Sequence, residues 1–384
     1  MKTNKQIQII LFMILSISLV LSSNRESTTF VISDTINPVV DQPRIHDLTD
    51  HAPMTIDTDA DFETYGLPGI GESYNPYRIE NLNITTNGDY CLNFGGYTTK
   101  YFIIQNCFLK TDINYAIYVG KYSTIGEGTV DIYNNVIIST GNLGIKLDGV
   151  VNGKVRENYL VDLDYGISLD NSNFTYIKDN TIAAEVGIIA TDSVGIIIDG
   201  NTCTDTTDKG INIINTNSTV IKNNICSTSL LGIYVRDSSM VNVTNNYLTE
   251  NFYGMSVQGS AGCLITNNSF DTSTSYGLTM STSPGLNKIY FNNFNNNNLA
   301  GTTVQASDTI GDQWYDDVRL VGNFWSGWGP EYGPYAIDGG AGSQDLYPLG
   351  SVPSIPEYSN SYFFLFILTM FFSVSLIIII KRKH

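Results

Sequence analysis

The chain has 384 residues, of which only 15% are charged, with 34 Gly and 24 Tyr; this composition excludes a charged helical bundle. Twenty Lys and Arg stand against 37 Asp and Glu, and five of the basic residues (Lys2, Lys5, Lys381, Arg382 and Lys383) lie at the two ends, leaving -22 on the body between them. Such a surface repels nucleic-acid phosphate and excludes a DNA or RNA partner, while 42% apolar residues exclude bulk disorder.

In chain order, Ile7 to Leu21 is a short apolar run behind Lys2 and Lys5 and ahead of Ser22-Ser23. It predicts a signal peptide over 1–23, being short for a bilayer span. Residues 24–55 read as a linker, and 56–81 as an N-terminal cap with the first strand of the domain that follows.

From 82 to 298 the sequence repeats. An Asn stands three residues after one apolar residue and two before another at positions 106, 135, 158, 180, 201, 224, 246, 268 and 292. A second marker is a Gly followed by apolar, variable, apolar: Gly144, Gly166, Gly187, Gly210, Gly232, Gly254 and Gly277, at intervals of 21 to 23, with Ala116 in the same place one coil earlier. The apolar residues one and three after each Gly, such as Ile167 and Leu169 or Ile233 and Val235, alternate with a mostly polar one, the mark of a short strand with one buried face. A period of about 22 holding short strands and tight corners predicts an all-β fold, a right-handed parallel β-helix of about nine to ten coils. Its coils stack at ~4.8 Å, and the marker Asn form a ladder of amides at a buried bend.

Residues 299–349 hold all three Trp (Trp314, Trp325, Trp328) and predict a C-terminal cap, needed because an open solenoid end exposes apolar core. A stalk over 350–360 carries Pro353 and Pro356. Tyr362 to Ile380 then runs without a charge and predicts a transmembrane helix over 361–380. The basic tail 381–384 stays cytoplasmic by the positive-inside rule, which places the body outside the cell as a single-pass membrane protein.

Two flanking segments carry a resemblance. Asp59-Ala60-Asp61-Phe62, Pro68-Gly69 and Asn75-Pro76-Tyr77-Arg78-Ile79 open the domain; Gly322-Asn323-Phe324-Trp325-Ser326, Pro334-Tyr335-Ala336-Ile337-Asp338 and Asp345-Leu346-Tyr347-Pro348-Leu349 close it. With the repeats between, the stretch from Ile56 to Leu349 resembles the NosD-like, carbohydrate-binding and sugar-hydrolase (CASH) type of right-handed β-helix with PbH1 repeats, common in archaeal surface proteins. The resemblance implies the fold and is not specific for an activity. An Asp-rich loop often found between the Trp-Ser and Pro-Tyr elements is here Gly327-Trp328-Gly329-Pro330-Glu331-Tyr332-Gly333, so the calcium site implied there does not carry over. NosD itself is associated with delivering copper to a reductase; the three His are His46, His51 and His384, none in the repeats.

Stacking turns each coil position into a row. Asp164, Glu185 and Asp208 lie two residues before the Gly in three consecutive coils. Carboxylates so close repel unless screened, so the row reads as an exposed acidic corner, as a Ca²⁺ site, or as the paired carboxylates of a glycosidase; Asp148 and Asp170 form a similar pair. Tyr115, Tyr165, Tyr253 and Tyr276 precede the Gly position, and Tyr118 and Tyr234 follow it by two, as candidates for stacking against sugar rings. Arg156 beside Glu157 and Arg236 beside Asp237 read as local pairs. Cys203 and Cys226 share one inward row and read as two buried thiols, although their spacing permits a disulfide. Asn83, Asn173, Asn217, Asn242 and Asn267 head N-glycosylation sequons. No cofactor is expected apart from Ca²⁺ at the acidic row. The leading expectation is a membrane-anchored surface module that binds or organises glycans, with a polysaccharide-degrading enzyme and a structural spacer as alternatives.

Overall fold

The computed structural model of the protein describes residues 47–353, apart from 121–124, 140–142, 283–284 and 299–303. The expected signal peptide, membrane segment and most of the stalk lie outside the described residues. Among the described residues no helix is long and apolar enough to cross a membrane.

Alternating side chains and turn residues fold this sequence into a parallel β-solenoid of about nine turns. One wall is a ten-stranded parallel sheet of short strands, from Tyr77–Glu80 at one end to Lys288–Tyr290 at the other. The other walls are formed by a 21-stranded sheet to which most coils contribute two strands, such as Ile225–Ser227 and Leu231–Arg236, fused into one bent strand at Tyr159–Asp170 and Thr181–Thr191. Register is kept from coil to coil: Ile177 pairs with Ile198, Ile198 with Ile221, and Ile221 with Val243. In Leu231–Arg236 the inward Ile233 and Val235 are fully buried, whereas Arg236 is exposed, as period-two alternation requires. The Gly row has a steric origin. A Cβ at Gly166 would lie 2.6 Å from the Gly187 carbonyl oxygen of the next coil, and one at Gly187 2.5 Å from that of Gly210, so the coils close up only where no side chain intervenes.

The Asn ladder forms at the bend between the short wall and the next strand. Asn158 donates its backbone N–H and its amide to Asn180 Oδ1, both at 3.0 Å, and the amide also reaches the Ile132 and Arg156 carbonyls. The same pattern runs through Asn135, Asn180, Asn201, Asn224, Asn246, Asn268 and Asn292. The ladder departs from the expected set of asparagines at both ends. Asn106 is not a rung: Cys107 holds that place and donates its N–H to Asn135 Oδ1 at 3.0 Å. Asn106 instead occupies the left-handed corner position one residue earlier (φ 55°), equivalent to Asn134. Spacing alone does not separate the two registers, because Asn suits both positions and Ile103-Ile104 offers an apolar residue at either spacing. At the other end the ladder gains Asn323, which accepts from Asn292 and donates to Asp345.

Both open ends are plugged with aromatic rings. The helix Asp59–Thr64 lays Phe62 on Tyr77, stacked at 4.6 Å, beside Phe94 and Phe102. Asp61 Oδ2 accepts the N–H groups of Asp57 and Thr58 and so serves the start of that helix. At the far end Phe270, Phe294, Trp325 and Tyr335 pile face to face at 4.7, 4.2 and 4.0 Å. Trp314 and Trp325 are fully buried, and Trp328 is half-buried edge-on to Tyr335.

Candidate functional site

Register on the long-strand wall brings the residue before each Gly into one outer row: Tyr90, Tyr115, Leu143, Tyr165, Val186, Lys209, Leu231 and Tyr253, with Tyr276 next by the Gly254 to Tyr276 backbone bond. Beside it runs the row two residues after the Gly: Asn93, Tyr118, Lys146, Ser168, Ile189, Asn212, Tyr234, Ser256 and Thr279. On the other side, at the corner, lie Asp164, Glu185 and Asp208; Asp208 donates its N–H to the Glu185 carbonyl at 3.0 Å. An apolar and aromatic strip is thus bordered by hydrogen-bonding groups on both edges.

The tyrosines divide by exposure. Tyr165 is 37% exposed, and Tyr90, Tyr115, Tyr253 and Tyr276 are half-buried. Tyr118 and Tyr234 are buried, and their place is structural: Tyr118 packs against Tyr90 and Tyr115, and Tyr234 donates its hydroxyl to Gln258. Tyr90 and Tyr115 stack at 5.8 Å with planes 6° apart. Tyr90, which the repeat pattern did not reveal because Cys91 stands where Gly is expected, belongs to the strip. So does the exposed Phe252, packed edge-on to Tyr253 at 4.8 Å. The Tyr276 hydroxyl donates to Asp338 in the C-terminal cap, and that bond, with burial, pushes its pKa up to about 12.

The charges along the strip are paired. Lys209 lies 2.5 Å from Asp208 and over the Tyr234 ring, 5.7 Å from its centroid, so one carboxylate of the stacked row has a lysine for its cation. Lys146 lies 3.8 Å from Asp170 and donates to Ser168 Oγ at 3.2 Å; burial draws its pKa below the usual ammonium value, against the pull of Asp170 and Asp148. Arg236 meets Asp237 at 3.5 Å. Arg156 is more than a local pair: on the short wall it makes two 3.1 Å contacts with Asp131 of the preceding coil, meets Glu157 at 3.1 Å and covers the Tyr133 ring at 3.9 Å. It clamps two coils together.

The five sequon asparagines are all half-buried. Asn173 and Asn217 accept backbone N–H groups of the next coil at 2.8 Å through Oδ1, and the Asn83 amide donates to Asp50.

Among the described residues no group of three or more His, Cys, Asp or Glu could hold a metal ion. His51 is the one His they include. All five Cys are unbridged and buried, Cys203 and Cys226 facing each other across adjacent coils. Burial pushes the Cys91 and Cys107 thiols up to about 12 and Cys263 to about 11.

A parallel β-solenoid with an aromatic strip along one wall is the class of protein these features define. The chain belongs to the family described as periplasmic copper-binding protein (NosD), whose model matches residues 81–277 and 133–329. No curated protein matches it. Among solved structures, the mannuronan C-5 epimerase AlgE6 A-module of Azotobacter vinelandii is similar at 12% identity over 69% of this chain and 89% of that one, with a TM-score of 0.42. The periplasmic alginate epimerase AlgG is similar at 15% identity over 68% of this chain and 67% of that one, with a TM-score of 0.44.

Proposed function

We propose that this protein is a glycan-binding module that works outside the cytoplasm, held there by the apolar segment 361–380 and taking its ligand on the aromatic strip. The observation that carries the reading is the tyrosine row in register along the wall, with carboxylates and hydroxyl or amide groups on its two borders. A pyranose ring has apolar C–H faces and a rim of hydroxyls, and that arrangement offers a surface for each. The family's periplasmic description supports the location. Copper is no part of the reading, since among the described residues no group of three or more His, Cys, Asp or Glu could hold a metal ion.

Retention of the protein on immobilised polysaccharides tests this. Tyr165→Ala with Tyr253→Ala should lower retention about tenfold with little change in the unfolding midpoint, since both rings lie on the outer face. Unchanged retention would overturn the proposal. Release of new reducing ends would replace it with a hydrolytic reading built on Asp164, Glu185 and Asp208.

A further inference from the structure

We infer that the glycan taken by this strip is uncharged and lies along the solenoid axis, about one pyranose to a coil. The inference rests on the glycan-binding reading above and narrows it to a ligand class.

Geometry sets the direction. The rows are parallel to the axis and repeat every ~4.8 Å, the spacing of neighbouring strands, which is close to the advance of one sugar in an extended chain. A polymer laid along the axis therefore meets an equivalent position at each residue. One laid across it meets a single ring and then a corner.

Charge sets the class. Each cation on the strip already faces a carboxylate: Lys146 faces Asp170, Lys209 faces Asp208 and Arg236 faces Asp237. Asp148, Asp164 and Glu185 add further negative charge, and among the described residues none of the three makes an ion pair. A uronate or sulfate group brings only acceptors, and here it would meet acceptors and cations already engaged. The acidic body repels a polyanion before it arrives. Neutral hydroxyls, which both donate and accept, suit the paired Lys–Asp groups on the borders of the strip.

The test is affinity electrophoresis of the full chain in gels carrying a neutral polysaccharide (dextran, galactomannan or mixed-linkage β-glucan) or a uronate polymer (alginate or polygalacturonate), at low and high salt. Retardation by at least one neutral polymer, unchanged by salt, with none by the uronates, is the expected result. Retardation by a uronate polymer that weakens with salt would overturn the inference and leave the glycan-binding reading standing; retardation by neither class would overturn both. A charge-releasing variant gives an independent arm. Asp170→Asn with Asp208→Asn frees Lys146 and Lys209 and should raise retention on polygalacturonate about tenfold. No gain from that variant, in protein whose unfolding midpoint shows it folded, would count against the pairing argument.

Discussion

Asn323 donates its backbone N–H at 2.7 Å and its amide at 3.4 Å to a single oxygen of Asp345, and there the asparagine ladder ends on an acid. Every rung passes its donors to the oxygen of the rung after it, so the last requires an acceptor, and at Asp345 donors meet both side-chain oxygens; a carboxylate supplies two acceptor oxygens, an amide one. Trp325 Nε1 donates to the same oxygen at 2.9 Å, and the Tyr347 N–H to the other at 3.1 Å. Asp345→Ala would strand buried donors from three residues and should cost about 3 kcal/mol or more in urea unfolding. Asp345→Asn turns an NH₂ toward donors already present and should cost about 1–3 kcal/mol. A neutral Asp345→Asn would sink the idea that this end of the ladder needs two acceptor oxygens.

A shorter series ends in the same way, and its acid titrates. Cys263 donates its N–H to Asn287 Oδ1, and Asn287 donates both its N–H and its amide to Asp312 Oδ1, while Asp312 Oδ2 is buried without a partner. Burial pushes the Asp312 pKa up to about 6; the Asn287 bonds oppose this, and the neighbouring Asp308 carboxylate adds to it. The folded state then holds the proton more tightly than the unfolded chain. The associated stability is complete below the unfolded value near 4 and is lost as pH rises through about 6, an effect of about 2–3 kcal/mol. Asp312→Asn should flatten the unfolding free energy between pH 4 and 7 and leave the variant the more stable protein at pH 8. The same slope in both proteins would refute the assignment.

The thiols give a chemical check on burial. With all five Cys inside the core, and burial raising the pKa of Cys91, Cys107 and Cys263, the native protein should release no thionitrobenzoate from Ellman's reagent at pH 8. Five equivalents should appear on unfolding in denaturant. Prompt reaction of any thiol in the native state would show an opening in the coil stack.

Much of the solenoid can be read from the sequence because the rows are steric and hydrogen-bonding necessities: the Gly at 166 and 187 where coils touch, the Asn at 158 and 180 where a buried bend needs donors and an acceptor. The error at Asn106 arises because one residue type meets two demands, left-handed backbone and ladder amide, at adjacent positions. The tyrosine row was legible for Tyr115, Tyr165, Tyr253 and Tyr276, since position relative to the Gly fixes which way each points. It was not legible at Tyr90, where Cys91 replaces the marker. Nor does position alone tell that Tyr118 and Tyr234 are covered, because that depends on neighbours two columns and one coil away. The Asp131–Arg156 clamp is hidden for the same reason: its partners are 25 residues apart in sequence and adjacent only after stacking.

Lys209 at the acidic corner invites a direct exchange. Lys209→Met removes the cation beside Asp208 and leaves Glu185 and Asp208 stacked with no counter-charge. The loss should stay below about 1 kcal/mol, as expected of a partly exposed pair. The variant should also gain a rise in Tm on adding Ca²⁺ that the parent lacks, since a divalent ion would then fill the role of the ammonium. An equal Ca²⁺ response in both proteins would mean that the lysine does not occupy that place.

The register of the second coil is the sharpest test of the fold, because it separates two asparagines that look alike in sequence. Asn201 accepts the Asn180 N–H and amide at 3.0 and 2.9 Å, and its own amide reaches the Ile177 carbonyl and Asn224 Oδ1, both at 3.0 Å. Asn201→Ala strands two buried donors and removes the donor to a buried carbonyl, so it should cost about 3–5 kcal/mol. Asn106 lies at the corner, half-buried, and contributes its left-handed backbone and one amide contact from Asn134. Asn106→Gly keeps that backbone and should cost less than about 1 kcal/mol. Were Asn106 a ladder rung, its replacement would cost as much as that of Asn201, and Cys107→Asn, placing an amide where the next coil's Asn135 is ready to accept it, would bring no gain. On the observed register Cys107→Asn instead adds a rung to the ladder and should raise the urea midpoint.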